Sequence, residues 1–535
     1  MVSKRLFVNG RFTTLDPSCP FAEAVYVEDG RIRMVGGYEE VILQAGRADV
    51  ERVDVGGGYG YPGLVDSHLH LVAYGMTLSM LDFSRVTTKA ELLKMVRDQA
   101  RMTPHGEWVR GLHWDENRLQ EQEPPTREEL DRAAPHHPVM LTRHCFHVQA
   151  ANTEAFRRAG ISRETPDPSD GAFGRDERGE LDGLVYENAS RRLYEAMPPS
   201  SRAQKKEWLR KAAREALSKG LTGVHTEDLR ELGSVSDAWH MYGELTEEGI
   251  YLRSHHLIYH PFLEEAADFG LQTGTGDPWR KTGAMKMFAD GSIGGRTALL
   301  SSPYTDAPSA RGMPIHSQQE LNEWVRRARE KGFSVGVHAI GDGAAEMVVR
   351  AFQSHPIPPG GRQRKCDRLI HGQVLRSDLV QALKHLPVVV DIQPRFVVSD
   401  FPWVAERLGS ERLAYAYAWK TLLMSGVDCA GGSDAPIEPL DPILGLHAAI
   451  TRRPPEDPAG GYLPEQNLTP LEALRLFTIG SAVAAGEENE RGTCSPGKAA
   501  DFTVFDRDLL AANADALLEA RVSMTVVNGC IAYRG

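Results

Sequence analysis

Paired cysteines are missing from this chain. Its six thiols, Cys19, Cys145, Cys366, Cys429, Cys494 and Cys530, are scattered with no C-x-x-C step. That excludes a zinc ribbon, a redox dithiol and a disulfide miniprotein, and fits thiols kept reduced in a cytosol. Long apolar runs are missing too, since none approaches the ~18 residues of a membrane helix. The opening MVSKRLFVNGRF has basic residues but neither an apolar core nor a cleavage site, so no secretory signal is expected. Positive charge is in short supply: 61 Lys+Arg against 73 Asp+Glu gives −12. Such a chain has no pull toward phosphate backbones or anionic lipid, so neither nucleic acid nor a membrane is expected as a partner. There is no G-x-S-x-G elbow, and the GDGA after His338 lacks the G-x-x-x-x-G-K-[ST] spacing of a phosphate loop.

What is present is an ordinary folded composition, 41% hydrophobic and 25% charged over 535 residues. That length sets a soft prior of three domains or one large barrel with attachments. The first 55 or so residues read as short strands with turns at Asn9-Gly10 and Asp29-Gly30, both hairpin signals; the C-terminus repeats the style, with a turn at Asn528-Gly529. Neither end has enough strands to bury a core alone, so one sheet built from both termini is expected.

Between them come eight short apolar runs, several ending in an ionisable residue: GLVDSHLH (63–70), LTGVHTED (221–228), YLRSHHLIY (251–259), GAMKMFADGS (283–292), FSVGVHAIGD (333–342), RLIHGQ (368–373), PVVVDIQPRF (387–396) and VDCAGGSDAP (427–436). Helical stretches such as 202–220 and 318–332 lie between many of them. Strand–helix alternation repeated eight times predicts an α/β fold of the (β/α)8, TIM-like class. The piece from 71 to 200 is too long for one crossover and carries strand-like segments at 107–114 and 138–149. It reads as an insertion after the first barrel strand, where loops belong to the catalytic face.

The ionisable residues at the run ends form a pattern. Run 1 carries His68 and His70, run 4 Lys286, run 5 His338, run 6 His371 and run 8 Asp434. Residues two apart on a strand face the same way, so His68 and His70 can serve one site. Each residue alone has a structural explanation: a satisfied core histidine, a lysine in an ion pair, an aspartate at a turn. Together, in one eight-strand count, they predict a divalent-metal site at the barrel mouth, built from imidazoles and a carboxylate without thiolates. Zinc suits that set best, with iron, manganese or cobalt as alternatives. His225, His255 and His256 on runs 2 and 3 read as supporting or structural histidines. Trp108, Trp114, Phe146, Phe396, Phe401 and Trp403 are candidates to line an apolar pocket, although ordinary packing explains a loop aromatic as well.

The stretches VNGRF, YPGLVDSHLHL, RGLHWDEN, RHCFHVQAANTEAF, MKMFADGSIGGRTALL, VGVHAIGDGA, LIHGQ, GGSDAP and SPGKAADFTVFD together resemble the amidohydrolase superfamily. Within it they resemble amidohydrolase family 3, the YtcJ-like branch that contains N-substituted formamide deformylase, and the likeness runs over essentially the whole chain. It implies a barrel with a small composite β-sandwich: 1–57 as its first part, 58–480 as the barrel with the insertion at about 71–200, and 481–535 as its second part. It also implies one metal on His68 and His70, a second on His338 and His371, and Lys286 as an N6-carboxylated bridge. Asp434 would bind the first metal and act as catalytic base; an unmodified Lys286 would leave one ion. His147, Trp114 and Arg296 match positions near the substrate.

The activity implied is hydrolysis of a non-peptide C–N bond. The metal would lower the pKa of bound water from ~15.7 toward ~7. The substrate would be a small linear amide such as an N-substituted formamide, with cyclic amides, carbamates or N-acyl amino acids as alternatives. A non-catalytic barrel used for binding or regulation would show an eroded ligand set, whereas all six candidates are present. A cytoplasmic enzyme, compatible with a homodimer, completes the expectation.

Overall fold

The eight apolar runs become eight parallel strands. The computed structural model describes residues 4–46, 50–168, 170–358, 366–457, 460–510 and 513–535. In it the runs form β1 (Leu64–Leu69), β2 (Leu221–Thr226), β3 (Arg253–Tyr259), β4 (Arg280–Phe288), β5 (Val335–Ala339), β6 (Asp367–His371), β7 (Val388–Ile392) and β8 (Asp428–Gly431). They stand in one sheet in sequence order, each paired in parallel with the next. Just past β8, Asp434 N donates to His68 O at 2.7 Å, and His70 N donates to Ala435 O at 2.8 Å, which draws the exit of β8 back onto β1. The result is a (β/α)8 barrel. Strands covered on both faces read as largely apolar runs, and all five residues of β7, Val-Val-Val-Asp-Ile, are buried, with Asp391 paired to the buried Arg368 of β6 at 2.6 Å. The helix Gln318–Glu330 before β5 starts on a capping box, Ser317 with Glu320, and buries Leu321, Val325 and Ala328 at helical spacing.

The terminal strands form two sheets rather than the single one expected. One holds four strands in the order Arg31–Gly36, Ala24–Glu28, Lys4–Val8 and Glu51–Asp54. The other runs Cys530–Arg534, Val522–Val527, Phe502–Phe505, Tyr59–Pro62, Arg11–Thr13 and Phe21–Ala22, and so draws on both ends of the chain. Short strands with one apolar face need a second layer to cover it. Here Phe7, Val25, Phe12, Phe502, Val504 and Val526 share one core. The Phe502 ring meets those of Phe7 and Phe12 edge-on at 4.8 and 5.8 Å.

Two of the three Asx-Gly turns are hairpins and one is not. Asp29-Gly30 and Asn528-Gly529 have positive φ at both residues (52° and 74°, 52° and 72°), the backbone of a type I′ turn, and their flanking strands pair antiparallel. At Asn9-Gly10 only Asn9 is left-handed, at 59°. The chain therefore passes from one sheet to the other, and Arg11 N donates to Gly58 O at 3.0 Å.

Residues 75–208 make a compact unit of their own, apart from the unit of 1–74 and 209–535. It holds a six-stranded mixed sheet in the order Gly171–Arg175, Leu181–Glu187, Val148–Ala151, Val139–Arg143, Val109–Trp114 and Leu81–Asp82. The segment expected as strand-like at 138–149 splits into two antiparallel strands, with Met140 opposite Ala151. Leu92, Val96 and Ala100 of the helix Lys89–Met102 join Val109, Trp114 and Leu141 in its core. Among the described residues no helix is long and apolar enough to cross a membrane.

Candidate metal centre

Four imidazoles, one amine and one carboxylate converge where β1, β4, β5, β6 and β8 end. His68 and His70 present rings whose centroids are 5.5 Å apart. Asp434, in the left-handed region at φ 59°, places Oδ1 3.5 Å from His68 Nε2 and 3.4 Å from His70 Nε2. Lys286 brings its Nζ to 3.1 Å from His68 Nε2 and lies 4.7 Å from the Phe288 ring centre. The His371 ring centre is 4.5 Å from that of His338 and 5.8 Å from that of His68. All six residues that the sequence picks out as ligands thus sit together, and five of them are buried outright.

Burial sets their protonation. It drives the His68 and His338 imidazoles well below their ordinary range and His371 down to about 4, so these rings are neutral and keep a lone pair. Burial likewise pulls the Lys286 amine down to about 8. His70 is the exception. Desolvation would lower it, but its hydrogen bond with Asp434 and the charges of Asp434 and Glu227 raise it. Desolvation would raise Asp434, yet His70, His371 and Lys286 together hold it below the usual carboxylate range.

These residues fit a divalent cation. Donor atoms of His68, His70 and Asp434 lie within 4.8 Å of one another, a hard carboxylate oxygen beside imidazole nitrogens. The carboxylates that raise His70 create the field that a cation satisfies in place of the proton. Three of the four rings also have a nitrogen held by a neighbour, whereas His68 Nδ1 has no hydrogen-bond partner among the described residues. His70 Nδ1 donates to Glu227 O at 2.8 Å, His371 Nδ1 to Gln393 Oε1 at 2.7 Å, and His338 Nε2 to Gly291 O at 3.1 Å. Each bond fixes a tautomer and leaves the opposite nitrogen as an acceptor, as metal-ligating histidines require.

The supporting layer was largely invisible to sequence reasoning. Asp66 accepts from His68 N at 3.0 Å and from Ser433 N, tying β1 to the turn that carries Asp434, and burial pushes its carboxyl up to about 7. Asp290 accepts from the backbone N–H groups of Leu299, Ile340 and Gly341 at 2.8, 3.0 and 2.9 Å, which pins the loop after β4 to the end of β5. Gln393 and the fully buried Glu227 complete the set. Their one signal is position: Glu227, Asp290 and Gln393 are polar residues just past the end of a strand, whereas Asp66 lies within β1. Among the pocket aromatics, Phe396 stacks on His371 with ring centres 5.6 Å apart and planes at 12°.

Of the three substrate-contact candidates, one belongs to the barrel unit and two to the inserted unit. Arg296 follows β4 on a loop and pairs with Asp306 at 2.6 Å. Trp114 and His147 belong to the inserted unit. The Trp114 ring is buried there and its N–H goes to Leu141 O at 2.9 Å, while the exposed His147 pairs with Glu187 at 2.9 Å. His225 and His255 are buried inside the barrel with ring centres 4.7 Å apart.

Comparison with known proteins decides the lineage. A profile described as "Amidohydrolase family" matches residues 51–533. The chain belongs to the amidohydrolase family. Among its relatives, YtcJ of Bacillus subtilis strain 168, a protein named for the same family, is 42% identical over 513 residues, 96% of each chain. The N-substituted formamide deformylase of Arthrobacter pascens is 28% identical over 551 residues, 99% of this chain and 98% of that one. A crystal structure described as an uncharacterized metal-dependent hydrolase of Pyrococcus horikoshii superposes with a TM-score of 0.78 at 29% identity, covering 96% of this chain and 99% of the other. This amidohydrolase is thus a hydrolase of a metal-dependent family.

Proposed function

We propose that this amidohydrolase cleaves a non-peptide carbon–nitrogen bond in a small linear amide, with N-substituted formamides first in line, and that its cation is zinc. The observation that carries the reading is the convergence of Asp434 Oδ1 on His68 Nε2 and His70 Nε2 at 3.5 and 3.4 Å. Neutral imidazoles and a carboxylate without a thiolate are the donor set that zinc accepts in hydrolytic sites. The substrate class follows the name of the Arthrobacter relative, which aligns along nearly its whole length.

His68, His70 and Asp434 would hold one ion, and His338 with His371 a second. Lys286 would join them as a carbamate. Its amine, held at about 8 by burial, is unprotonated more often than an ordinary lysine. Only the free amine adds to carbon dioxide, forming an N–C bond and releasing a proton. When bound, the cation supplies an acidified water and a polarised carbonyl. Asp434 takes the proton as the water attacks the amide carbon and hands it to the departing amine. The His70 and His371 tautomers, fixed by Glu227 O and Gln393 Oε1, keep both rings oriented through the cycle. His147, exposed in the inserted unit, is the substrate contact to test first.

The test is release of amine from a panel of N-alkyl and N-aryl formamides, acetamides, cyclic amides and carbamates by zinc-loaded enzyme. Preferential turnover of formamides that is lost in Asp434→Asn supports the reading. Turnover confined to cyclic amides or carbamates replaces the substrate class, and none on any C–N substrate overturns it.

A further inference from the structure

Arg368 is fully buried in the barrel, on β6 three residues before His371. Its Nε donates to Asp391 Oδ2 on β7 at 2.6 Å, and its Nη2 donates to the carbonyl oxygen of Ser67 on β1. One guanidinium thus joins three strands, two of which, β1 and β6, carry His68 and His371. As a source of stability the pair is poor. Arg368 Nη1 and Asp391 Oδ1 are buried with no hydrogen-bond partner among the described residues, whereas Arg253 and Asp501 meet in two bonds at 2.7 and 2.9 Å. A buried ion pair with polar atoms left over is commonly no better for stability than two apolar side chains of similar volume. What else Arg368 holds therefore matters more.

The peptide it grips lies at an irregular point of the sheet. Asp66 faces Val224 and Leu69 faces Thr226, so Ser67 and His68 together stand opposite the single residue His225. Two residues against one is a β-bulge, which breaks the local ladder and re-aims a side chain. Here side chains hold the peptide between Ser67 and His68. Arg368 takes its carbonyl, and Asp66 Oδ1 accepts from its N–H at 3.0 Å. With both polar groups of one planar unit fixed, the direction in which His68 leaves the backbone is set. His68 depends on this more than the other rings do. Its Nδ1 has no partner among the described residues, while His70, His338 and His371 each have a ring nitrogen held by a neighbour. Asp391 in turn cancels the guanidinium charge beneath a site that is to take a cation.

We propose that Arg368, neutralised by Asp391, is a positioning residue of the metal centre: it holds the bulged Ser67–His68 peptide by its carbonyl and so aims His68 at the ion. The inference rests on the reading of His68 as a ligand.

The test uses the full-length enzyme stripped of metal, with cobalt(II) as the probe. The visible spectrum of bound cobalt reports ligand geometry, and competition with a chelator gives its affinity. Arg368→Met combined with Asp391→Leu removes both charges at similar volume and is expected to fold. Its cobalt affinity should fall roughly ten- to a hundred-fold, as on loss of other outer partners of a metal ligand, and its visible spectrum should change. Arg368→Lys keeps the charge but loses the fork, so one nitrogen must serve both acceptors, and a loss of about two- to ten-fold is expected. Asp501→Asn, in the pair between β3 and the C-terminal segment, is the control. It should lower the melting temperature and leave cobalt affinity and spectrum unchanged. Parent-like affinity and spectrum in the double variant overturn the inference, and so does an equal loss of cobalt in Asp501→Asn, which would tie the effect to general destabilisation. If the double variant does not fold, parent-like values in Arg368→Lys overturn it. A parent that binds no cobalt overturns the reading of His68 as a ligand as well.

Discussion

Replacing Gln393 with leucine separates the tuning of the metal centre from its ligands. Gln393 is 2% exposed, and its Oε1 takes the His371 Nδ1 proton at 2.7 Å while its Nε2 donates to Asp391 O at 3.1 Å. Leucine fills a similar volume but accepts nothing. His371 must then bury an unsatisfied N–H, at about 1–3 kcal/mol, or move the proton to the nitrogen that would otherwise face the cation. Either way the cost falls on metal binding. Loss of such an outer partner weakens metal affinity about 10–100-fold, which is roughly 1.4–2.7 kcal/mol. The assay is zinc titration against a competing chelator, with kcat/KM measured on the same preparations at saturating metal. Gln393→Glu restores an acceptor and should recover most of the lost affinity. Parent-like zinc affinity and kcat/KM in Gln393→Leu would refute the assignment of His371 as a ligand oriented by Gln393.

Other consequences are open to simpler assays. Arg253 and Asp501 form a buried two-pronged pair at 2.7 and 2.9 Å between β3 and the C-terminal segment. Asp501→Ala should cost about 3–5 kcal/mol in urea unfolding, and a parent-like midpoint would contradict the pair's role. Burial alone would raise the Asp501 carboxyl, but the charge and hydrogen bond of Arg253 outweigh it and leave the group below its ordinary 3.8. A carboxyl depressed in the folded state stabilises above its unfolded pKa, and that stability drains as pH falls through the folded value. The melting temperature of the parent should therefore drop more steeply than that of Asp501→Asn below about pH 4. Lys286→Met should reduce metal content per chain and abolish amide turnover; full activity would remove Lys286 from the centre. Trp114→Phe leaves the Leu141 carbonyl without its 2.9 Å donor and should lower stability by about 1–3 kcal/mol.

Much of the barrel was legible because its chemistry is local. A strand covered on both faces is mostly apolar, so an ionisable residue near its end stands out, as His338 does after Val-Gly-Val. The HxH step on β1 could be read from strand periodicity alone. What stayed hidden depends on contacts across the chain. Gln393 matters because β7 lies beside β6, and Asp66 because Ser433 returns to it from 367 residues away. The Asn9-Gly10 turn misled because the dipeptide permits a type I′ hairpin without enforcing one. The packing of two sheets on Phe502 decided otherwise. The supposed single sheet failed for a related reason: alternation along a strand shows that one face is buried and not what buries it.

The most direct challenge to the metal centre is elemental analysis of the purified enzyme beside a variant carrying His68→Ala and His70→Ala. Zinc or another divalent metal bound stoichiometrically to the parent and sharply reduced in the variant is the expected result, and two equivalents would mark Lys286 as a bridge. A parent that takes up no metal even after reconstitution with zinc or manganese and bicarbonate would contradict it, and the convergence of His68, His70 and Asp434 would then need another explanation.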